Sequence, residues 1–208
     1  EQTWFLRRGD ARLKDHTVLP EVPAVLAQPG TSLKDWARPA GENSSSTFRR
    51  ARLAYWMTDV SLGAGILLAR VMANRLWQYH FGRGVVATPN DFGKRGSPPT
   101  HPYLLDQLAH ELIRGDWDLK RLHRQILCSA TWQQDVLGAP RTARDDQLFR
   151  GHRVRRLEAE IVRDQMLAVS DTFDRRMFGE GTLDEQQPRR SIYFRVKRSQ
   201  QIPFLGVF

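Results

Sequence analysis

The distribution of apolar and polar residues along the chain changes character several times. Thr3 to Arg8, Thr-Trp-Phe-Leu-Arg-Arg, is a short β-prone run halted by the turn pair Gly9-Asp10. Residues 10–47 carry Pro20, Pro23, Pro29, Gly30, Pro39, Gly41 and the tract Ser44-Ser45-Ser46, which predicts an extended loop region. Helical spacing starts behind Thr47, a candidate N-cap, with Leu53, Trp56 and Met57, and breaks across Asp59 to Gly65. The longest periodic segment covers about Ile66 to Phe81, with Leu67, Val71, Leu76 and Trp77 on its apolar side and Gly82 as its stop. After a loop, Thr100 is placed to cap a helix through Leu104, Leu105, Leu108 and Leu112 that Gly115 ends. Asp118 opens the next, with Leu119, Leu122, Ile126 and Leu127, so the short connection predicts a tight helical hairpin.

Residues 135–154 are polar and Arg-rich, and Leu157, Ile161, Met166 and Leu167 mark a further helix reaching about Phe173. Gly179 and Gly181 open a loop to Pro188. Ser191 to Val196 then alternates with period two, which predicts a strand paired with residues 3–8. No internal repeat is present. The expected fold is mainly α, one helical domain over 1–208 with a helical hairpin and a small sheet joining the N- and C-terminal strands.

Composition narrows the class of protein. The 208 residues are 40% hydrophobic and 26% charged, with a mean hydropathy of -0.52, a globular balance long enough to bury a core. The apolar run from Ile66 meets Arg70 at once, far short of the roughly 18 residues a membrane span needs, so no membrane insertion is expected. The single cysteine, Cys128, excludes internal disulfides, CxxC zinc sites and the paired thiols of a covalently attached c-type haem; it is expected to be a small buried thiol. No cofactor is expected in this chain.

The net charge of +9 attracts phosphates and acidic partners. Of the 32 basic residues, however, 27 are Arg and 5 are Lys, and Arg is the residue that packs and makes bidentate pairs. The run Arg150 to Arg156 is followed by Glu158, Glu160 and Asp164 at distances suited to pairing. The strip Arg189, Arg190, Arg195, Lys197, Arg198 holds no acid. Non-specific nucleic-acid binding is therefore the weakest of three readings. The chain starts at Glu1 and ends on an apolar run, Pro203 to Phe208, and is expected to be a piece of a longer protein, truncated at both ends.

Several motifs match only by spelling. Gly82-Arg83-Gly84-Val85-Val86-Ala87 fits G-x-G-x-x-A but follows a helix where a dinucleotide site needs a strand, so it reads as a helix C-cap and turn. His110-Glu111 starts H-E-x-x-H, but Arg114 stands in place of the second zinc ligand. Arg8-Gly9-Asp10 is a turn by context, and Asn43-Ser44-Ser45 is a glycosylation sequon that matters only in a eukaryotic secretory route.

One segment is specific. Within Ala69 to Gly84, residues Arg70, Asn74, Trp77 and Phe81 share a helix face at i, i+4, i+7 and i+11. A packing face has no use for Arg and Asn, so this stripe predicts a buried polar network or a ligand. The loop Thr88-Pro89-Asn90-Asp91-Phe92-Gly93 and the run Pro98 to Pro102 follow, and Asp91 with loop carbonyls is the expected partner set, Asp91 pairing with Arg70 or Arg75. The candidate ligand-binding residues are Arg70, Asn74, Arg75, Trp77, His80, Asp91 and His101; no metal is expected. Among them His80, Asp91 and His101 would supply general acid–base chemistry if the domain were a hydrolase-like or redox enzyme.

Together with Trp117-x-Leu119-Lys120-x-Leu122-His123-x-x-Ile126, Ser129-Ala130-Thr131, Arg156-Leu157-Glu158-Ala159-Glu160-x-x-Arg163-Asp164, Leu167 to Ser170 and Arg190-Ser191-Ile192-Tyr193-x-x-Val196-Lys197-Arg198, this segment resembles domain of unknown function 1553, the planctomycete PSD1 domain. The resemblance runs from Trp4 to Phe208. It implies the C-terminal part of a large exported planctomycete protein, downstream of a cytochrome-c-like haem domain and a companion domain, with no activity established. It further implies an extracytoplasmic location, haem confined to a separate domain, companion domains of the same polypeptide as partners, and a polysaccharide or other acidic substrate. The sequence departs from the family pattern in places. Asp59 to Gly65 lacks the expected Asn-Pro pair, Cys128 and Trp132 stand where Thr and Tyr are usual, and the family normally continues past Phe208 with an acidic segment. The leading expectation is an accessory or substrate-docking module.

Overall fold

A computed structural model describes residues 2–37, 46–136 and 142–207. The sequon at Asn43, together with Pro39 and Gly41, lies outside the described residues. The chain divides into two compact units, Glu1–Arg153 and Val154–Phe208.

The first unit begins with strand β1 (Thr3–Leu6), which pairs antiparallel with β2 (Lys14–Val18) in the register Thr3↔Val18 and Leu6↔Lys14. Its turn is closed by the Arg7 amide donating to the Leu13 carbonyl at 3.0 Å. Asp10 accepts from Arg12 there, which holds its carboxyl below the usual range. The fold is mainly α with a small sheet, as expected, but the partner of β1 is β2 and not the C-terminal segment. Ser191–Tyr193 is a 3-10 turn. Its donors are spent locally, Tyr193 on Arg190 and Phe194 on Ser191, whereas a hairpin eight residues away in sequence closes β1 at a far smaller loop entropy.

Residues 10–37 carry more order than a loop. A 3-10 turn at Leu33–Trp36 is opened by a Ser32–Asp35 capping box, and Leu33 and Trp36 join Val22 and Trp56 in a small core. Trp56 comes from helix α1 (Arg49–Thr58), whose N-cap is Phe48 in the left-handed region, φ 53°, and not Thr47. Past its end the chain folds back, with the Ala64 amide donating to the Trp56 carbonyl and Gly65 to Asp59. A Cβ at Gly63 would lie 2.1 Å from the Trp56 carbonyl oxygen, so only glycine fits. The Trp36 indole N–H donates to Asp59 at 2.8 Å, and that bond, then the Ser61 amide, holds the Asp59 carboxyl below its ordinary value.

Helices α2 (Gly65–Phe81), α3 (Pro102–Arg114) and α4 (Leu119–Leu127) build the main core. The buried stripe of α2 is Ala69, Ala73, Leu76 and Trp77, with Ile66 58% exposed. The apolar side is thus rotated from the one expected through Leu67 and Val71, because two alanines let α3 approach closely. On α3, Leu105, Leu108, Ala109 and Leu112 face inward. Asp116 and Trp117 take positive φ after Gly115, and Asp118 caps α4 by accepting from the amides of Lys120 and Arg121, so the predicted hairpin forms. Glu111 accepts from Arg121 and Gln125 of α4, giving the H-E pair a role in joining two helices. Cys128 is exposed at the C-cap of α4, contrary to the buried thiol expected, because the inward positions of that helix are Leu122 and Ile126. A short helix, α5 (Ala143–Gln147), follows, and Arg150 pairs with its Asp145 at 3.2 Å.

The second unit is organised by helix α6 (Ala159–Val169), with the short α7 (Pro203–Val207) near the end of the chain. Arg163 of α6 is 6% exposed. Its guanidinium donates to the carbonyls of Arg189 (3.0 Å), Glu185 (3.3 Å) and Gln187, and to the Ser191 hydroxyl (3.3 Å). It lies over the Phe194 ring at 4.7 Å. Burial pushes its pKa below the ordinary guanidinium value, with Asp164 and Glu185 acting in the opposite direction. Asp164 completes the arrangement by accepting from the Ser191 amide at 2.8 Å.

Two predictions follow from these contacts. Arg163→Met strands four acceptors and should destabilise the 185–194 loop by about 3 kcal/mol, with Arg163→Lys recovering little because an ammonium cannot span them. Hydrogen exchange at the 185–194 amides checks this, and unchanged protection would refute it. Because the folded Asp59 carboxyl titrates below its ordinary 3.8, its stabilising effect is present above that pH and is lost as pH falls through the lower folded value. Trp36→Phe should flatten the acid limb of the pH–stability curve below the ordinary carboxylate value, read by urea denaturation at each pH.

Candidate functional site

Asn74 is fully buried on α2. Its amide donates to the Val86 carbonyl at 3.0 Å and its oxygen accepts from the Val86 amide at 2.8 Å. One side chain thus pairs with both backbone groups of one residue, which only a carboxamide can do. The approach leaves no room at Gly84, where a Cβ would meet the Asn74 amide at 2.7 Å and the Val86 carbonyl at 2.6 Å. Gly82, in the left-handed region at φ 76°, ends α2 and turns the chain into this loop, the C-cap and turn anticipated for that stretch. At the far end of the loop Thr100 does not cap α3. Its amide and hydroxyl both donate to the Val85 carbonyl, and the N-cap falls to His101 with Pro102 at the first helical position.

The other candidates have distinct partners. Arg70 pairs with Asp106 of α3, and Arg75 donates to the Asn90 side chain at 2.9 Å. Asp91 therefore does not form the expected ion pair. Its carboxylate accepts from the Gly93 amide at 2.9 Å in a local turn, because a residue two positions from a tight turn satisfies itself before reaching a helix. Arg70 still meets the loop, lining a cavity of about 250 Å³ with Val86, Phe92, Gly93, Ser97 and Pro98.

A second group lies at the C-terminal end of α2. Trp77 is 3% exposed, stacks on Phe81 at 4.2 Å and meets the edge of Phe149 at 5.2 Å. Its indole N–H finds no acceptor among the described residues. His101 approaches Phe149 at 5.7 Å and its Nδ1 lies 3.0 Å from the Thr100 hydroxyl. His80 Nε2 is 2.8 Å from His123 Nδ1 of α4, an imidazole–imidazole hydrogen bond in which one ring must be neutral. Trp132 meets the edge of His80 at 5.2 Å and of His152 at 4.5 Å, and His152 Nε2 lies 2.7 Å from the Trp132 carbonyl.

Arg70 and the loop thus form one neighbourhood, and Trp77, His80 and His101 another. Asp106, His123, Trp132, Phe149 and His152 touch the candidate residues or Phe81 of the same helix face and were not among those the sequence singled out. His123 alone carried a signal, standing in the Leu122-His123-x-x-Ile126 motif on the edge of an apolar stripe. Among the described residues no three of His, Cys, Asp and Glu gather as metal ligands, and no helix is long and apolar enough to cross a membrane.

The family model described as PSD1, protein of unknown function (DUF1553), matches residues 49–208, and the chain belongs to that family. No curated protein and no solved structure matches the chain.

Asn74→Ala removes both bonds to Val86 and leaves two buried backbone groups unpaired, a loss of about 2–4 kcal/mol. Gly84→Ala should cost a similar amount through the clash, whereas Asp91→Asn keeps the acceptor for Gly93 and should stay within about 0.5 kcal/mol of wild type. Urea denaturation of the three variants measures the order, and an Asp91→Asn loss as large as that of Asn74→Ala would contradict the pairings described.

Proposed function

We propose that this chain is a non-catalytic accessory or docking module of an exported, haem-linked bacterial protein, with companion domains of the same polypeptide as its partners. One observation carries the non-catalytic part: the polar groups expected to do chemistry have partners within the fold. Asp91 serves the Gly93 amide, Arg70 serves Asp106, Asn74 serves Val86, and His101 has Thr100. Asp91 is engaged within the loop and His80 with His123, so the carboxylate–imidazole pair that acid–base chemistry was expected to use is replaced by other partners. The haem linkage and export rest on the family resemblance alone, with haem held by a separate domain and the chain lying outside the cytoplasm.

The basic surface supports the same reading over nucleic-acid binding. Arg7 pairs with Asp15, Arg12 with Asp10, Arg121 with Glu111 and Arg176 with Asp174, which takes charge out of the field a phosphate backbone would feel.

The test uses the whole chain. Incubated with ester, glycoside and redox-dye substrates it should show no turnover above blank, and with a labelled DNA duplex no binding tighter than about 10⁻⁶ M at physiological salt. Titration against the haem and companion domains of its own polypeptide should give a saturable complex. Turnover abolished by His80→Gln or His101→Gln with the fold intact would replace this reading with an enzyme.

A further inference from the structure

A cavity in the second unit shares no lining residue with the cavity beside Arg70. It encloses about 510 Å³ between the segment 191–197, the segment 200–202 and α7, with Glu160 of α6 also in its lining. That volume lies within the range of small-molecule sites, which combine an apolar body with a few polar groups. The apolar body here is Ile192, Phe194, Val196, Ile202 and Leu205. Ile202 is 6% exposed and so belongs to the core as well as to the cavity wall.

The charge on this wall is distinctive. Arg195 and Lys197 both line the cavity, and residues 189–201 contain five basic side chains and no acid. The Lys197 ammonium has no hydrogen-bond or ion-pair partner among the described residues. Arg195 approaches Glu180 only at 3.6 Å, and that carboxylate is 93% exposed. Both cations are therefore available to a ligand from the solvent side, where each can donate a charge-assisted bond to an anion. Among the described residues Glu160 is the one acid in the lining, which leaves a net charge of +1 from Arg195, Lys197 and Glu160.

We propose that this cavity binds a small amphipathic anion, a carboxylate head held by Lys197 and Arg195 with an aliphatic tail along Ile202 and Leu205. An aliphatic tail suits the lining better than a sugar ring does. Among the described residues the one aromatic ring in the lining is Phe194, and the Arg163 guanidinium lies over it at 4.7 Å, which takes up a face on which a sugar would stack. The proposal is independent of the docking reading, since it uses other residues and needs no companion domain.

Isothermal titration of the full chain with decanoate, decan-1-ol and acetate tests it. Decanoate should bind one to one, about tenfold or more tighter than decan-1-ol, because only the acid engages the cations. Acetate, lacking the tail, should not bind measurably. The double variant Arg195→Gln/Lys197→Gln, both at exposed positions, should reduce decanoate to the level of decan-1-ol, while Lys120→Gln, on α4, should change nothing. Circular dichroism confirms that the variants fold. The proposal is overturned by equal affinity for acid and alcohol, by no binding of decanoate, or by a double variant that binds decanoate as well as wild type does.

Discussion

The two hydrogen bonds between the Asn74 side chain and the Val86 backbone are the constraint around which the first unit is organised. A residue of irregular backbone buried against a helix has an amide and a carbonyl with no ladder to join, and leaving either unpaired costs about 1–3 kcal/mol. Asn74 supplies both partners from a position with no solvent exposure. Once it does so, other residue choices become obligatory. Gly84 must lack a Cβ, and Val85 is held at 0% exposure with its carbonyl turned to Thr100. The return to Thr100 then delivers Pro102 to the first turn of α3, whose Leu105 and Leu112 close the core over Ala69 and Ala73.

The second unit solves the same problem with a charged group. The loop 185–191 presents three carbonyls inward, and Arg163 meets them with the fixed fork of its guanidinium. The Ser191 amide goes to Asp164, the neighbour of Arg163 on α6. Adjacent residues of one helix therefore satisfy acceptors and donor of the same loop. In both units a helix side chain takes the place of a neighbouring strand, which is how a chain with so little sheet can bury so much irregular backbone.

Signals confined to one stretch of chain were legible in the sequence. Gly82 ends α2 in the left-handed region, Asp118 caps α4, and Leu105, Leu108 and Leu112 face inward as their spacing requires. Signals that depend on a distant partner were not. The buried side of α2 is set by what α3 needs, so Ala69 and Ala73, small and weakly apolar, outrank Leu67 and Val71. Arg70 was expected to find Asp91, the next acid after it along the chain, but a carboxylate in a turn is already engaged and Asp106 lies across the helix interface. Phe149 gave no warning, an isolated aromatic in an Arg-rich stretch that nevertheless packs against Trp77 and Phe81. The strand expected at Ser191 to Val196 shows that period-two alternation is also produced by a 3-10 turn running into extended backbone.

The predominance of arginine, 27 of 32 basic residues, follows from the same economy of partners. Arg163 reaches four acceptors and an aromatic face at once. Arg189 lies over the Tyr193 ring at 3.7 Å while its guanidinium donates to the carbonyls of Arg176 and Phe178, and Arg12 forks onto both oxygens of Asp10. An ammonium has three donors around one point and cannot bridge carbonyls spread over several residues. A fold that ties irregular loops to itself with side chains selects guanidinium groups for that purpose, and a high isoelectric point follows without any requirement for an anionic polymer. Lys197 departs from this rule, a cation beside an apolar cavity with nothing in the described fold to hold.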